Sequence, residues 1–333
     1  MQRRRECRAQ LYLVPGSGGT REQASERPVW CDGFGIALLP ARVDDVAPHT
    51  PMRHDAGMTQ ALLPELSETA AIGRIAEIYD EVRRFSGVPY VSSLQRYLAT
   101  LPGVLDSAWD VLRPAIVSGV IPETGWRLAR SVRLDPPSPV DPGALGLTPV
   151  DVEAIRNIAA NFVRVSPVNL MTGACLRLVL TSAKPAGAGF PEAWTPPALL
   201  PPMPGNVDPV ALPEPQRAVL MRFATEMNGT PFIPALYRQI AHWPRALAWL
   251  AGTLAPLFAA PQTLAAGERF RADTRDAASE IVRRLPGVRG WAPPNAATTA
   301  QVLGAIERYA QTSSEMTLFG QLILDSLANR PHT

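Results

Sequence analysis

A stretch of 28 residues occurs twice in this chain. Residues 87–114 lie without a gap over residues 229–256, a shift of 142 positions. Identities fall at Gly87/Gly229, Pro89/Pro231, Leu94/Leu236, Arg96/Arg238, Ala99/Ala241, Pro102/Pro244, Leu105/Leu247, Leu112/Leu254 and Pro114/Pro256, with Tyr90 opposite Phe232. Gly and Pro fill four of the nine shared positions, and their backbone demands are the hardest to exchange, so the two stretches read as one backbone used twice. A weaker echo at a shift of 147 sets Ile155, Ile158, Phe162 and Ser166 against Val302, Ala305, Tyr309 and Ser313.

The apolar spacing within and around the copies is helical. Ser67 or Thr69 is placed to cap a helix carrying Ile72, Ile75, Tyr79, Val82 and Phe85 on one stripe. Pro102 suits the first turn of a helix that puts Leu105, Ala108, Trp109, Leu112 and Ile116 on one side. Thr148-Pro149 is a cap followed by a first-turn proline, leading into Ile155, Ile158, Ala159 and Phe162. Val302, Ile306, Tyr309, Leu318, Leu322 and Leu324 predict a long buried helix near the C-terminus, and strand alternation is hard to find. The expected fold is therefore all-α. A helical repeat over 58–181 and a second over 217–330 are joined by a proline-crowded linker over 182–216, extended and semi-rigid. Residues 1–57 show no sustained period. They read either as a disordered tail or as sequence upstream of a true start at Met58.

Of the 333 residues, 46% are hydrophobic and 19% charged, and the net charge is only +2. That is ample for packed cores and lacks the broad basic field of a nucleic-acid binder. No apolar run approaches the roughly 20 residues of a bilayer span, and no signal-like stretch follows the N-terminal arginines, so the expectation is a cytoplasmic chain without membrane contact. Four histidines, three cysteines and one lysine, Lys184, leave little for zinc binding, Ser-His or Cys-His catalysis or a Schiff base. Phosphate-cradling glycine motifs are absent. Carboxylates, hydroxyls and amides remain as catalytic material, and the seam between two halves is the natural pocket.

Three motifs together resemble the group I, DL-2-haloacid dehalogenases, over roughly residues 58–328. They are Gly87-Val88-Pro89-Tyr90-Val91 through Leu98-Ala99-Thr100-Leu101-Pro102-Gly103 with Trp109; Ala241-His242-Trp243-Pro244; and Ile281-Val282-Arg283-Arg284-Leu285-Pro286-Gly287. The resemblance implies an all-α, two-repeat enzyme that needs neither metal nor organic cofactor. In such an enzyme an aspartate of the second repeat activates water, which attacks C2 of a short 2-halocarboxylic acid between the halves and expels halide.

Carried over residue by residue, the resemblance meets a conflict. The family's aspartate stands seven residues before the Trp of the Trp-Pro pair, which here is Leu236, and no side chain at that position accepts a proton. The resemblance puts substrate contacts at Tyr90, Ser93, Ser166 and Tyr309, and at Ala235 and Tyr237 on either side of Leu236. Glu315 and Glu226 are the candidate replacement bases. Each has a plainer role open to it: Tyr90 and Tyr309 as core anchors, Glu315 as a solvated glutamate, Asn161 and Asn169 as helix cross-links. Arg96 and Arg238, at equivalent repeat positions, favour a structural role in both halves.

Three readings follow. One is a hydrolase of carbon–halide bonds with a relocated base. The second is a relative that has lost the base and binds a small carboxylate or apolar metabolite. The third, a peroxidase-type reductase, would require a Cys-x-x-Cys pair that this chain lacks. The expected partner is a small-molecule carboxylate, and the apolar helical surface makes a homodimer a reasonable expectation.

Overall fold

The computed structural model describes residues 63–327, apart from 183–184, 192–193, 228–229 and 290. The expectations for residues 1–57 and for Lys184 fall outside the described residues. The elements in order are α1 (Gly73–Ser86), α2 (Ser93–Leu98), α3 (Val104–Val117), α4 (Val120–Ser131), α5 (Pro149–Thr181), α6 (Glu214–Met221), β1 (Thr225–Met227), β2 (Thr230–Phe232), α7 (Ala235–Ile240), α8 (Pro244–Thr253), α9 (Pro261–Arg284) and α10 (Ala296–Ser326). The fold is all-α. Its one departure from that expectation is the antiparallel β1–β2 hairpin, which pairs Thr225 with Phe232 and Met227 with Thr230 and is too short to show alternation in the sequence.

The two similar stretches take the same local form where they begin. The α2 bounds, moved by 142 positions, are those of α7, and the start of α5, moved by 147, is that of α10. Thr148 caps α5 through the Asp151 N–H, and the Asp151 carboxylate accepts from the Thr148 N–H in return, a closed capping box behind Pro149 in the first turn. Asn295 caps α10 in the equivalent place.

Two details differ from the periodicity. Ser67 caps a separate 3-10 turn over Glu68–Ala70, so α1 starts only at Gly73 and Ile72 stands 82% exposed outside the stripe. Pro102 lies ahead of α3 rather than in its first turn, because Gly103 intervenes in the left-handed region. Pro244, by contrast, is inside the first turn of α8.

Two apolar cores result. The first gathers α1–α4 with Ile281 and Val282 of α9. The second gathers α6–α8 around Leu236, Leu247 and Leu250. The long helices serve both: α5 gives Ile155, Ile158 and Phe162 to the second core and Met171, Cys175 and Val179 to the first, while α10 gives Val302 and Ile306 to the first and Phe319, Leu322 and Ile323 to the second. The pair therefore runs antiparallel from one core to the other. Contrary to the sequence expectation, α5 is long and apolar enough to cross a membrane by length and composition. Most of its apolar stretch is instead buried against the other helices.

The segment after α5 is laced across the surface by specific bonds. Trp194 packs on Phe85 and Trp126, and its indole N–H donates to Glu123. A Cβ at Gly119 would come within 2.4 Å of the Trp194 ring, so only glycine leaves room for this strap. The carbonyls of Pro201 and Pro202 accept from Asn157 on α5, and Val207 exchanges both its backbone groups with Arg238. In the first half Arg96 does the same work: its carbonyl accepts from the Leu66 N–H and its guanidinium pairs with Glu65.

Candidate active site

Between the two cores, along the α5–α10 pair, lies a cavity of about 1190 Å³. Its floor comes from equivalent positions of the two long helices: Phe162 and Ser166 on α5, Tyr309 and Ser313 on α10. The first similar stretch adds Tyr90, Ser93 and Leu94. The second adds Phe232, Ala235 and Gln239. Pro202, Met203 and Gly205 of the strap and Arg271, Thr274 and Arg275 of α9 complete the wall.

Five of the residues expected at the site thus meet on one cavity: Tyr90, Ser93, Ser166, Ala235 and Tyr309. Tyr237 and Glu315, and Leu236 at the family's aspartate position, are not on that wall. Leu236 is fully buried in the second core, because the α7 face that carries it turns toward Leu247 and Leu250 while Ala235 and Gln239 face the cavity. Tyr237 is stacked on Phe223 with centroids 4.2 Å apart and meets Phe258 edge-on, so its ring is a core anchor rather than a substrate contact. Burial raises its phenol's pKa well above the ordinary value, with the charge of Glu315 adding to the effect. Glu315 sits behind the wall, one turn after Gln311, whose amide donates to it at 3.2 Å. Its second oxygen is buried without a partner, and desolvation raises its pKa against the pull of Gln311 and Arg271. The Glu226 side chain falls outside the described residues.

The wall is arginine-rich. Arg96, Arg177, Arg271, Arg275 and Arg308 line it against Glu68, Glu268 and Glu307. Each of these carboxylates already has a cation: Glu68 has Arg83, Glu268 has Arg271 and Arg275, and Glu307 has Arg177. Arg96 holds Glu65. Arg308 alone of the five has no ion pair or side-chain hydrogen bond among the described residues, and its Nε is buried without a partner. Its charge and that of Arg96 act on the Tyr309 phenol beside Ser93, opposing the upward shift that burial imposes there. An anion reaching this point meets an uncompensated guanidinium and a phenolic donor.

Sequence reasoning passed over Arg177, Arg271, Arg275 and Arg308. Spacing gave no signal for them: of the four only Arg271 has an acidic residue three or four positions away on its helix, Glu268, while Arg177, Arg275 and Arg308 have none. Asn169, expected as a helix cross-link, accepts from Gln95 at 3.2 Å and also lines the cavity.

No protein-family model matches the chain, and no curated protein matches it in sequence. Solved structures do. A D-2-haloacid dehalogenase mutant in complex with D-2-CPA aligns with a TM-score of 0.63 and 20% identity, over 81% of this chain and 97% of that one. A D-2-haloacid dehalogenase with L-LA aligns with a TM-score of 0.62 over the same shares. The fold is that of the D-2-haloacid dehalogenases. In this chain the described lining residues present arginines, hydroxyls and amides, with no unpaired carboxylate among them.

Proposed function

We propose that this cavity is a binding site for a small organic acid, its carboxylate seated on Arg308 beside Tyr309. We propose further that water is not activated from position 236 as the dehalogenase resemblance implies. The observation that carries the reading is Arg308, a half-buried cationic side chain whose Nε has no partner, left unpaired in a cavity whose carboxylates are all engaged. An anion is the group that completes such a guanidinium, through charge-assisted hydrogen bonds. The similar fold of a dehalogenase solved with D-2-CPA supports the same class of ligand. Leu236 supports loss of the base, since it has no proton acceptor and is sealed in an apolar core.

A second reading keeps hydrolysis of a 2-haloacid, with Glu315 as the relocated base. Its support is the unpartnered buried oxygen of Glu315 and its raised pKa, properties of a general base. The position behind Gln311 counts against it, because a base must reach the water that it deprotonates.

Calorimetric titration of 2-chloropropionate into the wild type and Arg308→Gln, with chloride followed in the same samples, separates these readings. Saturable binding that weakens at least tenfold in the variant, without chloride above buffer, is the expected result. Chloride release abolished by Glu315→Gln would establish the second reading, and no binding of 2-chloropropionate or of octanoate by the wild type would refute the first.

A further inference from the structure

Three polar groups at the most buried part of the cavity wall have no partner among the described residues: the Ser166 hydroxyl on α5, the Gln239 carbonyl oxygen on α7 and the Tyr90 hydroxyl ahead of α2. Ser166 is fully buried and Gln239 is 8% exposed. They share a neighbourhood. The Tyr90 ring lies 6.1 Å from that of Phe162, which stands one turn before Ser166 on the same face of α5, and Gln239 is on α7, which packs against α5. At the exposed part of the same cavity stand Arg177 and Arg275, with side chains 46% and 56% accessible. Apolar wall, including Val165, Met203 and Phe232, accompanies them.

Size adds a second, independent argument. Pockets that enclose drug-sized ligands run to roughly 300–1,000 Å³. At about 1190 Å³ this cavity would be left mostly unfilled by a three-carbon acid.

We infer that the ligand is a longer acid with a neutral hydroxyl remote from its carboxylate. This rests on the carboxylate reading above and extends it: the acid group sits at Arg308, the chain follows the apolar wall, and the hydroxyl enters among Ser166, Tyr90 and Gln239. A hydroxyl fits these three because it accepts from Ser166 or Tyr90 while donating to the Gln239 oxygen, and it serves whichever end the amide presents. A carbonyl cannot donate. A second carboxylate would find no cation among the three and would be desolvated there at high cost.

The test compares dissociation constants of octanoate, 8-hydroxyoctanoate and 2-chloropropionate on the wild-type protein, then on Ser166→Ala and Gln239→Leu. The expected order is 8-hydroxyoctanoate about tenfold tighter than octanoate, one charge-free hydrogen-bonding group well met, with 2-chloropropionate weakest. In either variant the hydroxyl's advantage falls to threefold or less while octanoate is unchanged. Equal affinity for octanoate and 8-hydroxyoctanoate on the wild type overturns this inference and leaves the carboxylate reading intact. So does 2-chloropropionate binding as tightly as either. If none of the three acids binds, the carboxylate reading itself fails. The wild-type comparison stands even if a variant does not fold.

Discussion

The α2–α3 and α7–α8 stretches share a backbone pattern but line the cavity differently. Both begin with a six-residue helix at equivalent positions, and both use an equivalent arginine to clamp an incoming segment, Glu65-Leu66 on Arg96 and Val207 on Arg238. The first stretch turns Tyr90, Ser93 and Arg96 to the cavity; the second turns Phe232, Ala235 and Gln239. The equivalent leucines differ most in consequence: Leu94, packed in the first core, also borders the cavity, whereas Leu236 is closed in the second core. A shared pattern thus sets where the helices run, and divergence at a few facing positions makes one cavity charged at its exposed part and neutral where it is buried.

That contrast is broken most sharply by a carboxylate at the paired leucines. Leu236→Asp should cost about 4 kcal/mol or more, since it buries an unpaired charge and empties a packed site. Leu94→Asp should cost roughly 2 kcal/mol, mainly in lost packing, because its carboxylate can face the cavity. Urea denaturation of both variants checks the order, and equal losses would show that the two positions are equivalent after all.

Glu315 sharpens the comparison through pH. Folding raises its pKa by desolvation, so its contribution to stability is fully present below the ordinary glutamate value and is lost as pH climbs through the raised one. Glu315→Gln should therefore melt above the wild type at pH 8, with the gap closing toward pH 4. A gap that is constant with pH would mean that the carboxylate is solvated.

The smallest effect separates Gly103 from its counterpart Arg245. Gly103 caps α3 at φ +70° with open space where a Cβ would stand, whereas Arg245 lies within the first turn of α8. Gly103→Ala should cost about 1 kcal/mol from backbone strain alone, and Arg245→Ala should leave thermal stability within about 0.5 kcal/mol of the wild type.

Much of this framework was legible in the sequence for physical reasons. Pro and Gly at matching intervals fix turns, so the starts of α2 and α7 follow from them, and Thr148-Pro149 carries its own cap. Ile72 misled because a stripe spaced by three and four does not show that Ser67 closes a separate turn before the helix begins. The hairpin at Thr225–Phe232 is too short to alternate. The proline-rich segment could be read as extended, but its path depends on distant partners such as Glu123, Asn157 and Arg238. The site was half legible: the resemblance led to Tyr90, Ser93, Ser166, Ala235 and Tyr309, while most of the arginines stand on long helices where no motif marks them. Whether Glu315 or Leu236 faces the cavity is a matter of helix rotation by a single residue, which tertiary packing decides.

The most direct measurement is a crystal structure of the protein soaked with 2-bromooctanoate and recorded at the bromine edge. The expected result is an anomalous peak inside the cavity, on an intact carbon–bromine bond, with the carboxylate against Arg308 and Tyr309 and the alkyl tail toward Ser166. A cavity holding the 2-hydroxy acid with bromide released, or a bromine peak found only elsewhere on the surface, would contradict it.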